Sequence, residues 1–179
     1  CRSPSVRFGG HRPVPPTRET RQRVSHRDIR GDACRSRRWQ AGRVPRSSRT
    51  PSLFDRWSRT YDRVALQQST YRPVHDAVIE RLDTAHLDVV LDLGCGTGQL
   101  TRRLTHRFPA ATVIGLDLSD GMLGEAADQL HDETSPHLVR GDALALPVRS
   151  GSVDAVVCTE SFHWYPDQAK VLDDVARIL

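Results

Sequence analysis

From residue 87 onward the apolar positions repeat in a fixed order. "LDVVLDL" and "ATVIGLDL" are short apolar runs bounded by turn residues, which predicts strands buried on both faces. Between them, "QLTRRLTHRF" places Leu100, Leu104 and Phe108 at four-residue intervals, one face of a helix. Ser119 then suits the N-cap of a helix with Met122, Leu123, Ala126, Ala127 and Leu130 on one side. "HLVRGDA" and "SVDAVVCT" read as a third and a fourth strand, and "QAKVLDDVARIL" as a final helix. Strands alternating with amphipathic helices predict an α/β fold, a Rossmann-like doubly wound parallel sheet covered on both faces. Upstream, Pro73 is expected to open a helix through Leu82 with Val74, Val78, Ile79 and Leu82 on one side. "SLFDRWSRTYDRVA" is expected to form a short helix before it, with Leu53, Phe54 and Trp57 together.

Residues 1–51 show no such period. They hold 14 of the 26 basic residues but only three acids, and their few large apolar side chains are scattered. Such a segment buries too little surface to offset its ordering entropy, so a disordered Arg/Pro/Ser-rich tail is expected there and a domain over 52–179. A basic tail can bind nucleic acid, yet no aromatic interleaving accompanies these arginines, so no specific nucleic-acid binding is expected. The first residue is Cys1 rather than Met, and 25 of the 26 basic residues are Arg, so the chain reads as a fragment or as carrying a misplaced start. Cys1, Cys34, Cys95 and Cys158 form no C-x-x-C pair, and neither a zinc site nor a disulfide framework is expected. Without an apolar run of spanning length, the expectation is a cytoplasmic protein with no membrane partner. The sequence leaves the oligomeric state open.

The candidate chemistry lies where the strands end. "LDLGCGTGQL" puts Gly94, Gly96 and Gly98 straight after the first strand, where glycine permits a sharp turn and close approach of a ligand. Their G-x-G-x-G spacing lacks the third glycine of the dinucleotide fingerprint, and no lysine makes it a phosphate loop. A plain connecting turn remains the bland reading. Asp117 ends the second strand about 20 residues on, where a carboxylate can accept both hydroxyls of a ribose or simply cap the next helix. Asp142 follows the third strand. Its carboxylate suits an adenine amino group with the Ala143 N–H on a ring nitrogen, or else an ordinary Gly-Asp turn.

Together these stretches resemble the class I S-adenosylmethionine-dependent methyltransferases, in particular the small-molecule group called methyltransferase type 11. The motifs are "VLDLGCGTG", "VIGLDLSDGML", "GDALALP" and "SVDAVVCTESFHW", with "FDRWSRTYDR" similar to the family's "F-D-x-x-A-x-x-Y-D" lead-in. The resemblance covers residues 52–179 and implies S-adenosyl-L-methionine as cofactor. It implies that Gly94, Cys95, Gly96 and Gly98 pass close to the methionyl part and that Asp92 reaches towards its amino group. Asp117, with Leu118 beside it, would take the ribose diol, Met122 would pack on the adenine, and Asp142 and Ala143 would read its edge. A small-molecule methyl acceptor follows, with carboxylic acids among those of the His-Trp subgroup.

Methyl transfer needs nucleophile, methyl and sulfur in line and water kept out. A carboxylate acceptor needs no base, whereas a phenol, thiol or carbon acid does. His163, in "ESFHWYPD", is the candidate base, with packing of the last helix as its alternative role; Trp164 and Tyr165 are candidates for an apolar wall, and Tyr61 for a cover over the cofactor. Family members continue beyond "ARIL" with further strands, so the fourth strand is expected to be an unpaired edge and the acceptor pocket incomplete. A non-catalytic cofactor-binding fragment and, less favoured, a nicotinamide-dependent oxidoreductase remain the other function classes.

Overall fold

The computed structural model describes residues 40–41, 65–83, 86–130 and 136–179. The expectations for "SLFDRWSRTYDRVA", for Tyr61 and for nearly all of residues 1–51 lie outside the described residues. Two residues of the segment expected to be disordered, Gln40–Ala41, form a short strand β1. The other strands are β2 (Val89–Leu93), β3 (Thr112–Asp117), β4 (His137–Arg140) and β5 (Ala155–Val157). The helices are α1 (Ala65–Leu82), α2 (Gln99–Arg107), α3 (Asp120–Gln129) and α4 (Gln168–Ile178), with a 3-10 turn over Phe162–Trp164.

All pairings are parallel and the order is β1-β4-β3-β2-β5. From β2 the chain winds outward through β3 to β4, then returns to lay β5 on the other flank of β2. The order therefore reverses at β2, and ligands in such sheets bind beyond the strand ends at that reversal. Every residue of β2 is buried, as the continuous apolar run requires. Alternation divides the core: Val89, Leu91 and Leu93 pack with Val171 and Ile178 of α4. Val90 faces the other way, into a cluster with Leu100 and Leu104 of α2 and, from α1, Val78, Ile79 and Leu82.

Three elements depart from the sequence pattern. Pro73 lies inside α1 rather than at its start. Its ring is on the exposed side, where water can meet the carbonyl left without an N–H partner. The buried stripe of α1 also starts one residue later than expected. Val74 is 38% exposed whereas His75 is 7% exposed, because 75, 79 and 82 keep the helical period better than 74 does. β4 stops at Arg140 because Asp142 closes a turn, its carbonyl accepting from the Ala145 N–H and its carboxylate from the Leu144 N–H. β5 is short because Ser152 and Val153 donate their N–H groups to the Ile178 carbonyl at the end of α4. Arg177 completes that junction, donating to the carbonyls of Val148 (2.8 Å) and Leu146 (3.1 Å). β5 is an edge of the described sheet.

Candidate functional site

A cavity of about 420 Å³ opens at the carboxyl ends of β2, β3, β4 and β5, under α1. The glycine loop forms its floor and is fastened to β3. The N–H groups of Gly94 and Cys95 both donate to the Leu116 carbonyl, at 2.7 and 3.0 Å. The Gly96 N–H donates to Asp117 Oδ2 (2.9 Å), and the Ser119 N–H to Oδ1 (2.8 Å). One carboxylate thus holds the loop and the start of α3 together beside the cavity. Ser119 caps α3 as expected, its Oγ accepting from the Met122 N–H at 3.1 Å.

The three glycines all take positive φ, +75° at Gly94, +56° at Gly96 and +80° at Gly98, but serve different ends. A Cβ on Gly94 would stand 2.4 Å from Ser161 Oγ and 2.9 Å from the Tyr165 hydroxyl. One on Gly96 would meet nothing within 4 Å, so this stretch of backbone is open to a ligand. One on Gly98 would strike Leu130 at 2.8 Å. Gly98 is outside the cavity lining. It makes room for α3, not for a ligand.

Asp92, Cys95, Leu118, Met122, Asp142 and Ala143 all reach the lining. Asp92 is only 1% exposed and accepts from the Thr101 hydroxyl at 2.6 Å. Burial is the main force pushing its carboxyl up to about 7, helped by the charge of Asp117 and opposed by the Thr101 hydrogen bond. Burial likewise holds the Cys95 thiol well above its ordinary value. Asp142 Oδ1 accepts the Leu144 N–H at 2.9 Å, so the turn reading holds for this oxygen even though the residue borders the cavity.

The structure does not bring His163 to the cavity. A 3-10 turn has three residues per turn and sends Phe162, His163 and Trp164 in three directions. Phe162 packs on the core and Trp164 borders the cavity. His163 is exposed, its ring 5.1 Å from that of Trp164, and lies outside the cavity lining. Tyr165 does line the cavity. Its hydroxyl lies 3.1 Å from Ser161 Oγ, which donates to the Leu93 carbonyl at 3.1 Å. Burial foremost holds the Tyr165 phenol far above its usual range.

Several lining residues escaped the sequence reading. Tyr71 and His75 reach the cavity from α1, and Glu160 and Ser161 from the end of β5. Glu160 is the one non-glycine residue with positive φ among the described residues, at 56°. The His75 signal was its i, i+4, i+7 relation to Ile79 and Leu82.

Asp92, Asp117 and Asp142 gather acidic groups around an exposed stretch of glycine backbone, a set that favours a ligand carrying positive charge.

Comparison with known proteins agrees. A family model described as "Methyltransferase domain" matches residues 90–179. The malonyl-[acyl-carrier protein] O-methyltransferase of Methylovorus sp. (strain MP688) is 34% identical over 140 residues, 74% of this chain and 46% of that protein. The trans-aconitate 2-methyltransferase of Deinococcus radiodurans is 45% identical over 86 residues, 46% of this chain and 30% of that protein. The chain spans about half, or less, of the length of these relatives. Among solved structures, a putative S-adenosyl-L-methionine-dependent methyltransferase from Methanococcus maripaludis superposes with a TM-score of 0.64 at 22% identity. The match covers 77% of this chain and 63% of that one, and it is the fold that the two share.

Proposed function

The chain belongs to the class I S-adenosylmethionine-dependent methyltransferases, and from that premise we propose that it carries the cofactor layer of an O-methyltransferase whose small-molecule acceptor presents a carboxylate. The observation that carries the cofactor reading is Asp117, a carboxylate in the cavity lining at the end of β3 whose two oxygens tie Gly96 to Ser119; the ribose diol is assigned to it. Asp142 and the Ala143 N–H are assigned to the adenine edge, and Met122 to its face. Asp92 supplies charge complementary to the amino group and the sulfonium.

The cofactor, when bound, supplies an activated methyl group on a positively charged sulfur. A carboxylate acceptor is already nucleophilic at neutral pH, so the protein's task is alignment and the exclusion of water. Trp164 and Tyr165 line the cavity as the apolar wall that this requires. The exposed position of His163 is then no obstacle, because no proton has to be removed. Two relatives are named for malonyl and trans-aconitate acceptors, both of which bear carboxylates, and this supports the acceptor class.

Calorimetric titration of the chain with S-adenosylhomocysteine and, separately, with NAD tests the cofactor reading. Binding of the first and not the second is expected; equal affinity for both overturns it. The acceptor class is checked by methyl transfer to a dicarboxylate probe such as trans-aconitate. A product that releases methanol in mild base is an ester, and a base-stable product sinks this part of the reading.

A further inference from the structure

His75 is 7% exposed and lines the cavity from α1, one helical turn from Tyr71, which faces the same space. Among the described residues no hydrogen-bond partner meets either of its ring nitrogens; its only recorded neighbours in charge are Arg103 and Asp76. Those two are paired with each other, and the Arg103 guanidinium also donates to the Arg72 carbonyl at 3.3 Å. They lock the surroundings of His75 without satisfying it.

A buried polar group left without a partner costs free energy, so such a group in a native fold calls for an explanation. Burial first, and the nearby Arg103 second, hold the His75 imidazole below its ordinary value. Near neutral pH it is therefore uncharged and offers one N–H donor and one acceptor nitrogen. The acids Asp92, Asp117, Asp142 and Glu160 bring only acceptors to the cavity while ionised. An anionic group of a ligand has to be met by donors, and α1 brings two, the Tyr71 hydroxyl and the His75 N–H.

We propose that His75 is a ligand-binding residue that donates its imidazole N–H to a carboxylate of the bound small molecule. The inference rests on the methyltransferase reading above. That reading offers two carboxylates with the same chemistry, the one on the methionyl end of the cofactor and the one on the acceptor.

The test uses the full chain and its His75→Ala and His75→Gln variants, each checked by circular dichroism. Calorimetry measures S-adenosylhomocysteine, 5′-methylthioadenosine, which lacks the amino-carboxylate end, and trans-aconitate added to protein saturated with S-adenosylhomocysteine. If the cofactor carboxylate is the partner, His75→Ala weakens S-adenosylhomocysteine about tenfold and leaves methylthioadenosine unchanged. If the acceptor carboxylate is the partner, both nucleosides bind as before and only trans-aconitate loses about tenfold. In either case His75→Gln, which keeps an N–H, restores at least half of the lost binding free energy. Unchanged affinity for all three probes overturns the inference, as does an equal loss for both nucleosides or a glutamine variant no better than alanine. Failure of the unsubstituted chain to bind S-adenosylhomocysteine would instead reject the methyltransferase reading.

Discussion

On the cavity wall made by the strand ends, Asp92, Asp117 and Asp142 each accept a hydrogen bond from their own fold, from Thr101, from Gly96 and Ser119, and from Leu144. On the wall made by α1 and residues 159–166, His75 has no hydrogen-bond partner among the described residues, Trp164 is 48% exposed and Glu160 carries positive φ. The first wall is organised before any ligand arrives, which lowers the ordering cost of binding. On the second, Ser161 and Tyr165 are likewise bonded to the fold, but the buried His75 ring is left for what the ligand brings. A shared cofactor paired with differing acceptors would favour this division.

The largest effect is expected where the walls meet. Gly94→Ala puts a Cβ into Ser161 and Tyr165 on a backbone at φ +75°. Left-handed strain and overpacking each cost about 1–3 kcal/mol. Thermal unfolding should therefore register a loss of about 2–6 kcal/mol, together with weak S-adenosylhomocysteine binding. Gly151→Ala is the matched control, because Gly151 has φ +63° but open space around its Cβ position. It should show the strain alone, and equal losses at the two sites would break the claim that the walls are fitted to each other.

Next comes Asp117. Asp117→Ala removes the two anchoring acceptors as well as the contacts assigned to the ribose. With charge-assisted bonds worth roughly 1.5–3 kcal/mol each, affinity for S-adenosylhomocysteine should fall at least ~100-fold. Asparagine offers no halfway state, since its NH2 would have to face either the Gly96 or the Ser119 N–H. Asp117→Asn should thus bind nearly as poorly as alanine. Asp120→Ala, which breaks only a rim pair with Arg140 at 3.1 Å, should leave affinity within about twofold, the measure of a surface ion pair. Calorimetry on the three variants sharpens or refutes the contrast.

A smaller effect concerns pH. The Asp92 carboxyl titrates near 7 in the folded chain, above its ordinary 3.8, because it is buried. Between these values the folded state holds a proton that the unfolded state has released. Its contribution to stability is full below about pH 4 and is lost as pH rises towards 7, by at most about 1.4 kcal/mol per pH unit. Urea unfolding of the ligand-free chain across that window should show this slope, and Asp92→Asn should flatten it. A cationic ligand favours the ionised form, so S-adenosylmethionine should bind with proton release near pH 6, seen as a buffer-dependent heat. The smallest effect is expected at His163. Its alanine variant should keep S-adenosylhomocysteine affinity within about twofold, and a tenfold loss would place the residue on the cavity wall after all.

The strand-end wall was legible because local rules govern it. Unbroken apolar runs give buried strands, the Ser119 cap and the Met122–Leu130 face give α3, and glycines and acids at strand ends mark the cavity. The cover was harder to read because its geometry depends on distant partners. His75 shares the helical period of Ile79 and Leu82, but a polar side chain is weak evidence for a buried position and Val74 looked like the better apolar one. His163 stood in a suggestive string, but the 3-10 turn around it decides the direction of its ring. The ends of β4 and β5 were overrun because Asp142 and the Ile178 carbonyl capture N–H groups that the alternation alone would give to a ladder.

The seam between α4 and residues 146–153 carries a consequence for hydrogen exchange. The amides of Gly151, Ser152 and Val153 are bonded to the carbonyls of Arg177 and Ile178, and the Arg177 side chain holds the carbonyls of Leu146 and Val148. None of these links survives if the last turn of α4 frays. The segment and the helix end should then open as one cooperative unit, their amides exchanging at a common rate. Because this segment follows directly on Asp142, Ala143 and Leu144 in the lining, each such opening also loosens one side of the cavity.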